Sequence, residues 1–157
     1  MTELEVLRLG VPYQSVETLA VPDLRTGETR AELGFANAGL IRRDARGFDS
    51  AKSALAAVDI ETLLQRIEAA GALFAEGTLQ VGSRLQSPQD YVRDVSCTTG
   101  IPETLCVKNV EKIRSACTQI RATLAGLTGG RGLEIFDGPS VDSVRGLGAV
   151  LPSNSPG

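Results

Sequence analysis

Seven apolar residues recur at alternating four- and three-residue steps: Cys106, Val110, Ile113, Cys117, Ile120, Leu124 and Leu127. That spacing puts all of them on one side of an α-helix. Pro102-Glu103 opens the helix, and Gly126 to Gly132 breaks it. Most helix stability in a protein comes from packing an amphipathic face, so this seam is expected to lie against other helices. The opposite side carries Lys108, Glu111, Lys112 and Arg114. Lys108 and Glu111 are close enough there to pair weakly.

The helices that could cover the seam are marked by their ends. Asn37 can cap a helix running to about Ala57, with Leu40, Ile41, Phe48, Ala51 and Leu55 as its apolar side. Gly47 is a point of bend or break within it. Asp59 caps the next, where Ile60, Leu63, Leu64, Ile67, Ala70 and Phe74 share a face and Gly77 is the stop. Ser87-Pro88-Gln89-Asp90 combines a cap, a proline at the first helical position and an acid in the first turn. That helix continues through Tyr91, Val92 and Val95 to Gly100.

Strands are expected on either side of the helices. Residues 1–36 read as β structure, with a hairpin from Tyr13–Val21 to Thr29–Phe35 about Thr26-Gly27. A second β region starts at Leu133-Glu134-Ile135-Phe136, turns at Asp137-Gly138-Pro139 and ends in the strand Leu147–Leu151. The expected fold is α+β, a helical layer with flanking antiparallel strands. It divides into 1–36 (hairpin region), 37–132 (helical region) and 133–157 (returning strands).

Composition narrows the chemistry. The 157 residues hold no His, so a Ser-His-Asp or Cys-His arrangement is impossible and a classical zinc site is very poorly supplied; no metal site is assigned. The net charge of −3 and the absence of Trp argue against nucleic acid. No apolar run approaches the ~20 residues that span a bilayer. The acidic N-terminus lacks the order of a signal peptide, so a cytoplasmic location is expected. Cys97, Cys106 and Cys117 read as reduced, buried thiols with no neighbouring base to activate them. Gly126-Leu127-Thr128-Gly129-Gly130-Arg131-Gly132 lacks the Lys-Ser/Thr ending of a phosphate loop and follows a helix instead of preceding one.

One constellation remains. Gly148-Ala149-Val150-Leu151 runs into Pro152-Ser153-Asn154-Ser155-Pro156, with a proline on either side of Asn154. Two prolines restrict the backbone there, and ligands of open α/β sheets bind at the C-terminal ends of strands. The Asn154 amide is therefore a candidate donor to a developing oxyanion. Domain termini are usually polar and frayed, so this apolar ending is expected to be the entry to a further domain of a larger protein.

Several segments together resemble the N-terminal part of the aldehyde dehydrogenase superfamily, including its acyl-CoA reductase relatives. Pro22-Asp23-Leu24-Arg25-Thr26-Gly27-Glu28 is similar to the early "NPATGE"-type hairpin. Asp44-Ala45-Arg46-Gly47-Phe48 through Leu63-Leu64 resembles the "AR-AF … R-LL" helices, and Thr98-Thr99-Gly100-Ile101-Pro102 the "ETGKP" segment. Gly148 to Pro156 resembles "GVV-PWNFP", the strand and turn entering the cofactor domain.

The resemblance implies an NAD(P)-dependent oxidoreductase acting on an aldehyde or, in reverse, an acyl thioester. It assigns an oxyanion-hole role to Asn154 and places Val150, Leu151, Pro152 and Ser153 against the nicotinamide side of NAD or NADP. Ser153 stands where aldehyde-oxidising members usually carry Trp, which favours the reductase-like relatives. The family's nucleophilic Cys and general-base Glu lie downstream and have no counterpart here, so this segment by itself is expected to be inactive. The early hairpin implies a homo-oligomer. The competing expectation is a non-catalytic helical interaction or oligomerisation module, supported by the seam from Cys106 to Leu127.

Overall fold

A computed structural model describes residues 2–137 and the backbone of two further strands, 140–142 and 147–150. Among the described residues, six α-helices and several small sheets make a mixed, α+β chain.

The N-terminal region is β structure, as expected, but it is built from two sheets. Strands β2 (Val6–Arg8) and β3 (Val11–Tyr13) form a short hairpin. Strands β4 (Thr18–Pro22) and β5 (Thr29–Gly34) pair antiparallel around the turn that the sequence marks. In that turn Gly27 is left-handed, at φ 74°, and its N–H donates to the Asp23 carbonyl at 2.8 Å. Strand β1 (Thr2–Leu4) then adds to β5 in parallel, giving the order β1-β5-β4. This corrects the all-antiparallel expectation: β1 reaches β5 only because 24 residues of chain separate their nearest ends, counting from Glu5 to Glu28.

The helix starts follow the capping chemistry. Asn37, Asp59 and Ser87 each accept a hydrogen bond from the backbone N–H three residues on. The first helical stretch is two helices, α1 (Ala38–Ala45) and α2 (Phe48–Ala56), broken at Gly47. Helix α3 spans Ile60–Glu76 and α4 spans Pro88–Thr99, which begins with a full capping box between Ser87 and Asp90.

Between α3 and α4 lies a hairpin absent from the expected helical region, β6 (Leu79–Val81) with β7 (Arg84–Gln86). The long helix is also divided, into α5 (Glu103–Thr118) and α6 (Ile120–Leu127) meeting at Gln119. Of its seam, Cys106 and Val110 are buried, whereas Ile113 is largely exposed and Leu127 is 79% exposed. Cys117, Ile120 and Leu124 are half-buried, Cys117 against Gly71 of α3, so the stripe is covered unevenly, with Ile113 and Leu127 left open.

The core sits where α3, α4 and α5 meet. Val92, Cys106 and Val110 form its centre, with Phe74, Tyr91, Val95 and Ile101 packed against them. Phe74 and Tyr91 contact edge to face at 5.1 Å. Helices α3 and α5 approach closely at Gly71, where a Cβ would run into the Cβ of Cys117.

Leu133–Phe136 is a 3₁₀ turn, not the start of a strand. Among the described residues this segment has no partner strand. The Asp137 carboxylate that ends it instead accepts from the Ile60 N–H at 2.7 Å, at the start of α3. Strands β8 (Ser140–Asp142) and β9 (Leu147–Val150) pair antiparallel, with Val150 opposite Ser140.

Candidate functional site

The residues assigned from sequence fall at the edge of what is described. Val150 ends β9, while Leu151, Pro152, Ser153 and Asn154 lie outside the described residues. Nothing in the described part bears on how Asn154 is held.

Within the described residues, polar chemistry gathers where the β4–β5 turn meets the end of α4. Asp23 is a buried carboxylate that accepts from the Arg25 N–H at 2.8 Å and forms an ion pair with the Arg25 guanidinium at 3.6 Å. The Arg25 N–H holds its carboxyl below the usual range, against the opposing effect of burial, with the Cys97 thiol and the Arg25 charge assisting. Arg25 reaches on across the turn. Its Nη2 donates to Cys97 Sγ at 3.2 Å, and the Leu24 N–H donates to the Cys97 carbonyl at 2.9 Å. The sulfur first, and Asp23 second, hold the Arg25 guanidinium more firmly protonated.

Sequence reading left this cluster unseen. It found no base beside Cys97; in the fold the Asp23 carboxylate faces the thiol, and a guanidinium 72 positions away in sequence reaches it as well. The only available signal was the turn at Asp23–Gly27, which carries no information on where it docks.

A second polar node lies nearby on α4. Asp94 accepts from Arg30 of β5 at 2.7 Å, from Gln86 at 2.8 Å and from Arg84 of β7 at 3.3 Å. With two cations and an amide, the carboxylate is fully engaged, so its role is to tie both hairpins to α4.

A cleft of about 430 Å³ lies between α3, α4 and α5. Ala75, Val92, Val107 and Val110 form its apolar floor, and Arg93, Glu103, Glu111 and Arg114 ring it. Arg114 is engaged with Glu76 at 2.7 Å. The walls present both charges around an apolar floor, a surface suited to binding.

Among the described residues no group of acidic, Cys or His side chains could hold a metal ion, and no helix is long and apolar enough to cross a membrane. No family model, no curated protein and no solved structure matches the chain.

Proposed function

We propose that this chain is the N-terminal segment of an NAD(P)-dependent aldehyde dehydrogenase or acyl-CoA reductase, a cytoplasmic homo-oligomer acting on an aldehyde or acyl thioester. One observation carries the reading furthest. Two of the segments that resemble the family, Pro22–Glu28 and Thr98–Pro102, lie 70 positions apart at their nearest ends, yet they meet through Leu24. Its N–H bonds the residue preceding the second segment at 2.9 Å, and its Cδ1 lies 3.6 Å from where Gly100 would carry a Cβ. A likeness confined to local turn chemistry would not require that contact.

On this reading a thiolate from outside these residues attacks the carbonyl carbon, and the Asn154 amide donates to the oxygen as charge gathers on it. The nicotinamide supplies or accepts the hydride when bound. Val150, Leu151, Pro152 and Ser153 would hold the nicotinamide side of the cofactor.

The test is nicotinamide turnover by the protein expressed from its whole reading frame, with aldehydes in one direction and acyl-CoA thioesters in the other. Asn154→Ala is expected to lower kcat on the order of 10²- to 10³-fold. Absence of turnover with both substrate classes and both nicotinamides would sink the proposal.

The exposure of Leu105, Val107, Ile113 and Leu127 along α5 and α6 favours the second reading, a non-catalytic interaction or oligomerisation module. Self-association without any nicotinamide chemistry would select it.

A further inference from the structure

Large apolar side chains crowd one surface away from the clusters described above. Leu7 and Leu9 of the β2–β3 hairpin, Ile41 of α1 and Phe48 of α2 line one concavity of about 200 Å³, yet each is more than half exposed. Leu55, also exposed, lies on the same side of α2 as Phe48, seven positions on. Scattered exposed leucines need no explanation, but a contiguous patch marks a surface that meets a partner.

The charge pattern narrows that partner. The chain carries −3 overall, but residues 38–57 hold Arg42, Arg43, Arg46 and Lys52 against Asp44 and Asp49. Asp44 is already taken by the Arg8 guanidinium. Helical spacing puts Arg42 and Arg43 on the two borders of the side of α1 that carries Leu40, Ile41 and Ala45. Both are exposed, as is Arg46 between them. Apolar side chains bordered by cations suit the headgroup layer of an anionic bilayer. A second copy of the chain fits poorly, because a symmetric contact would bring the same arginines together.

The hairpin tip adds an independent observation. Leu9 stands at φ 49°, the one non-glycine residue of positive φ among the described residues, in a turn that Asn-Gly forms more readily. A leucine kept there is strained and still 64% exposed, and strained residues gather at functional sites. At a bilayer surface the same side chain would be buried.

We propose that the β2–β3 hairpin, α1 and α2 form a docking surface for an anionic phospholipid bilayer. Leu7, Leu9, Ile41 and Phe48 enter the headgroup boundary, and Arg42, Arg43 and Arg46 lie among the lipid phosphates. The contact is peripheral and independent of any nicotinamide chemistry.

The experiment sediments the purified protein with vesicles of equimolar phosphatidylserine and phosphatidylcholine, and with vesicles of phosphatidylcholine alone. Binding is expected to the anionic vesicles, to weaken as salt is added, and to be about tenfold poorer on the neutral ones. Arg42→Gln together with Arg46→Gln should lower the partition about tenfold. Leu9→Asn should lower it severalfold while stabilising the turn, which separates lost contact from lost folding. The chain has no Trp, so Phe48→Trp reports alone, and its emission should shift to the blue on the anionic vesicles. No sedimentation with those vesicles, or binding unchanged in both the arginine and Leu9 variants, would overturn the proposal. Binding with the Phe48→Trp emission unmoved would also overturn it, and would point to an acidic protein partner. So would a concentration-dependent dimer that Leu9→Asn breaks, because a second copy would then cover the patch.

Discussion

Arg8 and Asp44 face each other as a two-pronged pair, Nε to Oδ2 at 2.8 Å and Nη2 to Oδ1 at 2.5 Å. The pair joins the β2–β3 hairpin to the last turn of α1, 36 positions on, and the Arg8 guanidinium also lies over the Tyr13 ring at 5.0 Å. The fork geometry is the one in which arginine bonds carboxylate best. Few other contacts anchor that hairpin, since Leu7, Leu9 and Val11 are all exposed.

The hydrogen bonds from Arg8 hold the Asp44 carboxyl below its usual range, and the same bonds raise Arg8. A depressed carboxyl contributes stability above its unfolded-state value, about pH 4, and loses it as the pH falls through the folded value. Below about pH 4 the unfolded chain binds protons that the native chain does not. Asp23, Asp59, Glu61 and Asp90 are shifted in the same direction. Stability should therefore fall on acidification from pH 5 to pH 3. Asp44→Asn should lower the urea midpoint at pH 6, and its gap from the wild type should narrow as the pH falls below about 4. A difference that stays constant with pH would remove the ion pair from the explanation.

Identical glycine substitutions should act in opposite directions at two helical sites. Gly71→Ala puts a methyl group into the Cβ of Cys117 at the α3–α5 crossing and should cost about 1–3 kcal/mol. Gly126→Ala in α6 meets nothing within 4 Å and should stabilise by up to about 1 kcal/mol through helix propensity alone. Urea unfolding of both variants checks the pair. Equal effects would mean that α3 and α5 do not cross at Gly71.

The β2–β3 turn holds a mismatch that one substitution should relieve. Leu9 at φ 49° and Gly10 at φ 83° are both left-handed, the geometry that favours Asn-Gly over Leu-Gly. Leu9 is 64% exposed, so little packing repays the strain. Leu9→Asn should stabilise by roughly 1 kcal/mol in urea unfolding. A loss of stability would show that the Leu9 side chain, whose Cδ1 lies 3.6 Å from a Cβ built at Gly47, matters more than the turn.

Where local chemistry decides, sequence and structure agree. Asn37, Asp59 and Ser87 announce their helices because each side chain bonds an N–H only three residues away. The β4–β5 hairpin is legible for the same reason, since Gly27 makes the turn from its own backbone freedom. The candidate residues Val150 to Asn154 rest on a sequence likeness, and the described structure neither gathers nor separates their side chains.

The remaining features are not local. Leu-Glu-Ile-Phe at 133–136 is apolar enough to read as a strand, but a strand exists only with a partner, and Asp137 bonds the start of α3 instead. The seam from Cys106 to Leu127 reads as one helix, yet its second half turns at Gln119 and keeps Leu127 in the open. The parallel place of β1 beside β5, and the Arg25 guanidinium on Cys97, join residues that no window of sequence contains together. From the sequence alone came the helix starts, the main hairpin and the mixed class, all set by hydrogen bonds and periodicity within a few residues. Tertiary structure alone decided which faces are covered and which charged groups meet. Those outcomes depend on the free energy of burying and pairing side chains that the folded chain brings together from a distance.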